Sequence, residues 1–162
     1  MLDITFRQKP LNSDLVAVRS ILKRTGFFTK EEQEIGASLL EQRLLEGISC
    51  GYHFLFGLVG KIVVGYSCFG PIPMTQSGCD LYWIAVDPAY QKEGVGGQLI
   101  SRTEQICLQL GKERLYAETS GKQLYQPTRR FYEQCGFELE ARQSDYYAPQ
   151  DDRLLYVKKV VK

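Results

Sequence analysis

The spacing of apolar residues changes along the chain, and each change marks an element. Residues 3–8 (DITFRQ) alternate apolar and polar, which predicts a strand stopped near Pro10. From a cap at Ser13, Leu15, Val18, Ile21 and Leu22 recur on one helical face to about Thr25, with Gly26 as the stop. Thr29-Lys-Glu-Glu32 has the form of a capping box, and Ile35, Leu39, Leu40 and Leu44 carry a second helix to Gly47. The pattern then turns strand-like. YHFLFGLV (52–59) and IVVGYSCF (62–69) predict two strands joined by a hairpin at Gly60-Lys61. GPIPMTQSG (70–78) is a loop, and CDLYWIAV (79–86) is a strand ended by Asp87-Pro88. YQKEGVGGQLI (90–100) opens a helix that runs to about Leu110, where Gly111 stops it. RLYAETS (114–120) is a strand, and PTRRFYEQCGF (127–137) is a helix capped by Thr128 and ended at Gly136. ELEARQ (138–143) and RLLYVKKV (153–160) close the chain as two strands.

The resulting order is β-α-α-β-β-β-α-β-α-β-β. Residues 79–120 form one parallel βαβ unit with a glycine-rich first turn. An α/β domain with a mixed central sheet is expected.

Composition narrows the class. The chain has 162 residues, 44% hydrophobic and 24% charged, which suits one globular domain with a full core. A net charge of +1 gives no electrostatic case for nucleic acid or an acidic membrane. Five cysteines, an odd number without a C-x-x-C pair, argue against zinc and against a secreted disulfide framework. The N-terminal segment lacks a signal-peptide core, and no apolar run approaches the ~18 residues of a membrane helix. A reduced, cytoplasmic setting is expected.

Gly94, Gly96 and Gly97 stand at a helix start, where glycine lowers helix propensity. A tight turn explains them, and so does an anion site. Helix N-termini expose unpaired amides and partial positive charge, and glycine lets a phosphate approach. The dinucleotide fingerprint fails because Leu99 stands where its third glycine belongs, and no P-loop pattern occurs.

Gln91-Lys92-Glu93-Gly94-Val95-Gly96 resembles the Q/R-x-x-G-x-G/A motif of the GNAT superfamily of N-acetyltransferases. RRFYEQCGF, some forty residues later, resembles that family's aromatic-Tyr-Glu-x-x-Gly-Phe helix end. With the element order, the resemblance covers nearly the whole chain and implies a single GNAT-like domain over residues 1–162. It implies acetyl-CoA as co-substrate, with no metal, in a gap between splayed strands 79–86 and 114–120. The pyrophosphate would rest on the amides of Gln91, Lys92, Glu93, Gly94, Val95, Gly96 and Gly97. The pantetheine would pair with the backbone of Ile84, Ala85 and Val86, the Ile84 amide serving as oxyanion donor.

Acetyl transfer to an amine needs a neutral nucleophile, a stabilised oxyanion and a protonated leaving thiolate. An alkylamine of pKa ~10.4 is mostly protonated at pH 7, so a base must take its proton. Two carboxylates are candidates. Asp80 begins the central strand, eleven residues before Gln91, where some family members carry a glutamate base. Glu118 lies on the neighbouring strand, where others keep theirs; each is equally a solvated strand-end charge. Tyr132 matches the tyrosine that many members use to protonate the sulfur, and also suits a core aromatic beside Phe131 and Phe137. Tyr125 stands where many members have an asparagine that contacts the cofactor, and it takes that position within a longer loop. Phe27 and Phe28 either line an acceptor pocket or pack the helix pair, and the loop 70–78 also belongs to the acceptor region by resemblance. His53, the single histidine, sits in a strand pattern and reads as structural, and Cys79 and Cys135 read as small core residues.

The reading is an N-acetyltransferase acting on a primary amine of a small molecule or peptide, with no nucleic acid or membrane partner and with room for a homodimer. A non-catalytic acetyl-CoA-binding sensor or regulatory module of the same fold is the alternative.

Overall fold

The computed structural model describes residues 2–160. The strands are β1 (Ile4–Arg7), β2 (His53–Val59), β3 (Ile62–Pro71), β4 (Gly78–Val86), β5 (Arg114–Ser120), β6 (Glu138–Ala148) and β7 (Asp151–Lys159). The helices are α1 (Asp14–Arg24), α2 (Lys30–Glu46), α3 (Val95–Gln109) and α4 (Gln126–Gln134). Short 3-10 turns at Gly47–Cys50, Pro88–Tyr90 and Gln123–Tyr125 join them. Among the described residues the strands form one seven-stranded mixed sheet in the order β1-β2-β3-β4-β5-β7-β6. The expected α/β order is the order found.

Local signals set most boundaries. The Thr29–Glu32 box forms at α2, with Glu32 N donating to Thr29 Oγ1 (3.1 Å) and Thr29 N to Glu32 Oε1 (3.0 Å). Two expected caps do not form. Ser13 makes no capping bond; instead Asp14, buried in the first turn of α1, accepts from Leu11 N at 2.7 Å and from both Arg7 Nη atoms at 2.8 Å. Thr128 lies inside α4, which starts earlier with Tyr125 as N-cap and Pro127 in its first turn, where a missing N–H costs nothing. The buried stripe of α2 also differs from expectation. Gly36, Ala37 and Leu40 face inward, while Ile35 is half exposed. The cause is Trp83, whose ring would meet a Cβ on Gly36 at 3.1 Å, so only glycine lets this turn approach.

The chain divides into two compact units, one running through Gly70 and including Leu81–Thr103, the other Pro71–Asp80 and the chain from Glu104. In the first unit, α1 and α2 cover a core of Val18, Ile21, Leu22, Leu40, Phe54, Phe56, Tyr66, Cys68 and Ala85. Phe54 and Phe56 alternate with Leu55 and Gly57 along β2, so the other face is left for α3. There Gly57 lies opposite Gly65 in the register, and added Cβ atoms would stand 3.7 Å and 3.2 Å from Val95 Cγ1 of α3. The paired glycines form the seat on which the first turn of α3 rests. The Ser67 and Thr103 hydroxyls, both buried, bond at 2.9 Å and hold the helix further along. Gly65→Ala is expected to destabilise the protein by about 1–3 kcal/mol, because its Cβ would stand 3.1 Å from the Ala85 carbonyl oxygen and 3.3 Å from Leu99 Cδ1. A urea midpoint measures this.

In the second unit β5 pairs with β7 over its whole length, and parallel pairing of β4 with β5 covers Gly78–Asp80 against Arg114–Tyr116. Leu115, Ala117, Leu154 and Tyr156 are buried with Tyr132 and Phe137 from the α4 end. Cys79 and Cys107 are also buried there, their sulfurs 3.0 Å apart. β6 is exposed along its length, as an edge strand rich in charge.

Candidate active site

In the first unit, the end of β4 is fixed before the glycine turn begins. Asp87 N donates to the Val64 carbonyl at 2.8 Å, and the buried Asp87 carboxylate accepts from Ala89 N at 2.9 Å and pairs with Arg24. Gln91 Nε2 then donates back to the Val86 carbonyl at 3.2 Å. Lys92 (φ 65°) and Gly94 (φ 83°) take left-handed conformations that turn the chain into α3. For Lys92 that conformation is uncommon and marks local strain, which proteins keep mostly at functional sites.

This turn leaves a run of amides without partners. Gln91 N donates to the Pro88 carbonyl (3.4 Å) and Gln98 N to Gly94 (3.1 Å). Among the described residues, the amides of Lys92, Glu93, Gly94, Val95, Gly96 and Gly97 meet no acceptor in the chain. Val95 and Leu99 are buried against the sheet, while a Cβ on Gly97 would meet nothing within 4 Å. Six free amides at the start of a 15-residue helix, with open space beside Gly97, suit a doubly charged phosphate ester. Ile84, Ala85 and Val86 form the last turns of pleat in β4, with Ala85 buried.

The second unit holds the titratable groups. Asp80 is half buried opposite Tyr116 of β5, and its carboxylate makes no ion pair or hydrogen bond among the described residues. Burial, then the charge of Glu118, pushes its carboxyl above the usual range, with Arg153 opposing. Glu118 is differently placed: its Oε2 accepts from Arg153 Nε. Tyr132 is 6% exposed, its ring against Phe131 (5.8 Å), Phe137 (5.3 Å) and Tyr156 (5.9 Å). Among the described residues, no hydrogen bond takes its hydroxyl. Burial, then the charges of Cys135 and Glu118, pushes the phenol well up, so it stays protonated at any physiological pH.

Other sequence candidates have structural places. Phe28 packs on Trp83 (5.3 Å) and edge-on to Phe27 (5.2 Å), beside the α1–α2 core. Tyr125 is half buried at the N-cap of α4. His53 stacks on Phe69 (5.7 Å), and burial followed by Arg43 pushes its imidazole down, so it is a neutral structural ring. Among the described residues, no cluster of His, Cys, Asp or Glu is gathered to hold a metal. No helix is long and apolar enough to cross a membrane.

Sequence reasoning passed over Arg153, Tyr146 and Tyr147. Gln143 pairs with Arg153 and Ala148 with Asp151, so Ser144–Tyr147 bulge opposite the single Asp152. Tyr146 and Tyr147 meet edge to face at 5.0 Å, and the Arg153 guanidinium lies 5.1 Å from the Tyr146 ring centre. Adjacent tyrosines in an alternating strand were the available signal.

Known proteins agree with this architecture. The profile of the GNAT acetyltransferase family matches residues 15–137. A solved GNAT-family protein from Desulfovibrio desulfuricans is 41% identical, with 98% of this chain and 100% of that one covered and a TM-score of 0.95. The ribosomal-protein-S18-alanine N-acetyltransferase of Escherichia coli shares 20% identity and the fold, with a TM-score of 0.75 over 99% of this chain and 96% of that one. The yncA protein of Salmonella typhimurium, solved with its cofactor acetyl-CoA, shares 20% identity and a TM-score of 0.72 over 99% of this chain and 95% of that one. No curated protein matches the chain by sequence. With its profile match spanning most of the sequence and a relative aligned end to end, the chain belongs to the GNAT family of acetyl-CoA-dependent acetyltransferases.

Proposed function

We propose that the protein is an N-acetyltransferase that moves the acetyl group of acetyl-CoA directly to a primary amine of a small molecule or peptide, with Asp80 as base and Tyr132 as acid. The observation that carries the choice of base is that Glu118 is engaged by Arg153 while the Asp80 carboxylate has no hydrogen bond or ion pair among the described residues. A half-buried carboxylate whose proton affinity is raised by burial and a neighbouring anion is the better proton acceptor of the two.

In this reading the amides from Lys92 to Gly97 hold the cofactor's pyrophosphate, and the backbone of Ile84, Ala85 and Val86 holds its pantetheine. The Ile84 amide polarises the thioester carbonyl. The bound cofactor supplies an activated acetyl thioester. Asp80 takes a proton from the acceptor's ammonium, directly or through water. As the new N–C bond forms and the C–S bond breaks, Tyr132 donates a proton to the departing sulfur, the nitrogen gives up its second proton to restore the phenol through water, and the proton on Asp80 passes to solvent. Phe27 is the residue of its pair left for the acceptor, whereas Phe28 serves mainly to pack α2 on Trp83.

The test is CoA release measured across a panel of polyamine, amino-sugar and peptide N-terminal amines. Release with a subset of primary amines is expected. Tight acetyl-CoA binding without release for any amine would instead favour the non-catalytic sensor. Gly97→Glu probes the cofactor half. Its side chain enters open space, so folding is kept, but its carboxylate takes the position of the phosphate and acetyl-CoA affinity is expected to fall about 100-fold or more. Calorimetry showing unchanged affinity would overturn the assignment of these amides.

A further inference from the structure

We propose that Arg153 is a positioning residue that ties up the Glu118 carboxylate and thereby leaves Asp80, of the two, free to take the acceptor's proton. The inference rests on the reaction proposed above and adds a residue to it.

The Arg153 guanidinium is held from three directions. Nε donates to Glu118 on β5, Nη1 donates to Gln143 Oε1 on β6 at 2.8 Å, and one face lies over the Tyr146 ring. A planar fork with two edges bonded and a face covered has little freedom to swing toward another anion. The bulge of β6 builds this holder. Asp152 accepts from Arg142 Nε at 2.8 Å and from Asp145 N at 2.9 Å, and Gln150 N closes on Asp145 Oδ1 at 2.7 Å. Asp145, at φ 55°, turns the chain so that Tyr146 reaches the guanidinium. Four residues opposite one are spent on a bend whose contacts converge on Arg153.

The charges around the pair divide its two carboxylates. Asp80 feels Glu118 as a like charge and Arg153 as an opposing one, while burial contributes most. Around Arg153 stand Glu118, Tyr146 and Tyr147; around Tyr147 stand Glu118, Arg153, Tyr146 and Asp151. Tyr132 also feels Glu118, and Tyr116 flanks Asp80 in the register. Burial, then Glu118, pushes the Tyr147 phenol up to about 12, so Tyr147 itself adds no anion below that pH. Glu118 is engaged by Arg153, and Asp80 still feels it as a like charge.

The experiment follows the Asp80 carboxyl by 13C NMR titration in the full-length chain, beside the pH profile of kcat/KM on one amine, so that the acceptor's own ionisation cancels between variants. Arg153→Gln removes the opposing cation. The Asp80 titration and the acid limb of the rate should both move to higher pH by about one unit, a roughly tenfold loss of kcat/KM on that limb. Arg153→Lys should restore part of the shift. Glu118→Gln removes the like charge and should move both curves to lower pH, which tests the same claim if Arg153→Gln does not fold. An Asp80 titration unmoved by either change would overturn the role of Arg153. A titration that moves while the rate profile does not would overturn Asp80 as base, and with it the reaction on which the role depends.

Discussion

Tyr132→Phe is expected to lower kcat by about 10²–10⁴-fold while leaving the fold intact. The substitution removes one hydroxyl from a ring wedged among Phe131, Phe137 and Tyr156, and keeps the ring. Because no group among the described residues bonds that hydroxyl, its loss strands no partner there, and stability should change by less than about 1 kcal/mol. Activity and stability therefore separate, which a core role for Tyr132 would not allow. The pH dependence adds a second check. Burial holds the phenol protonated well above its ordinary value, so wild-type kcat should show no falling limb from this residue up to about pH 10. A departing thiolate brought against the same apolar surroundings is disfavoured for the same reason as the phenolate, so the proton still has cause to move. An unchanged kcat in Tyr132→Phe, with chemistry shown to be rate-limiting, would return the residue to a purely structural role.

Asp80→Asn should lower kcat/KM at pH 7 by a similar factor, about 10²–10⁴-fold, and erase the acid limb of the profile. Its effect on stability should have the opposite sign. The Asp80 carboxyl titrates higher in the folded chain than in the unfolded one, mainly through burial and then through Glu118. The folded state thus binds this proton more tightly, so the group favours folding at low pH, and that contribution is lost as pH rises through the raised value. At pH 7 the ionised carboxylate is a cost, and asparagine removes it. The thermal midpoint should stay or rise while activity collapses, a pairing expected where a site is kept at the expense of stability. A variant that loses both activity and thermal midpoint would mean that Asp80 holds the strand end rather than the proton.

Much of the molecule is legible in short windows of sequence. The element order, the Thr29–Glu32 box, the hairpin at Gly60-Lys61 and the glycine turn ahead of α3 depend on neighbours a few residues apart, and all formed as read. The errors lie where a local signal competed with a distant one. Ile35 fits the helical period of α2, yet Gly36 faces inward because Trp83, far along the chain, fills the space. Ser13 has the chemistry of a cap, but Asp14 is drawn into the first turn by Arg7 of β1. Thr128 lost its expected cap to a helix already begun by Tyr125 and Pro127.

By itself the sequence determined the fold class and the glycine turn ahead of α3, and it nominated three residues for proton transfer, because periodicity, turn chemistry and motif spacing are properties of contiguous chain. What distinguishes Asp80 from Glu118 was decided only in the tertiary structure. Arg153 stands 35 residues from Glu118 and meets it through the register of β5 with β7 and the bulge of β6. The role of Gly57 and Gly65 likewise exists only once the sheet sets them opposite each other beneath Val95. Charge and close approach act through space, and their partners are fixed only once strands have chosen their register.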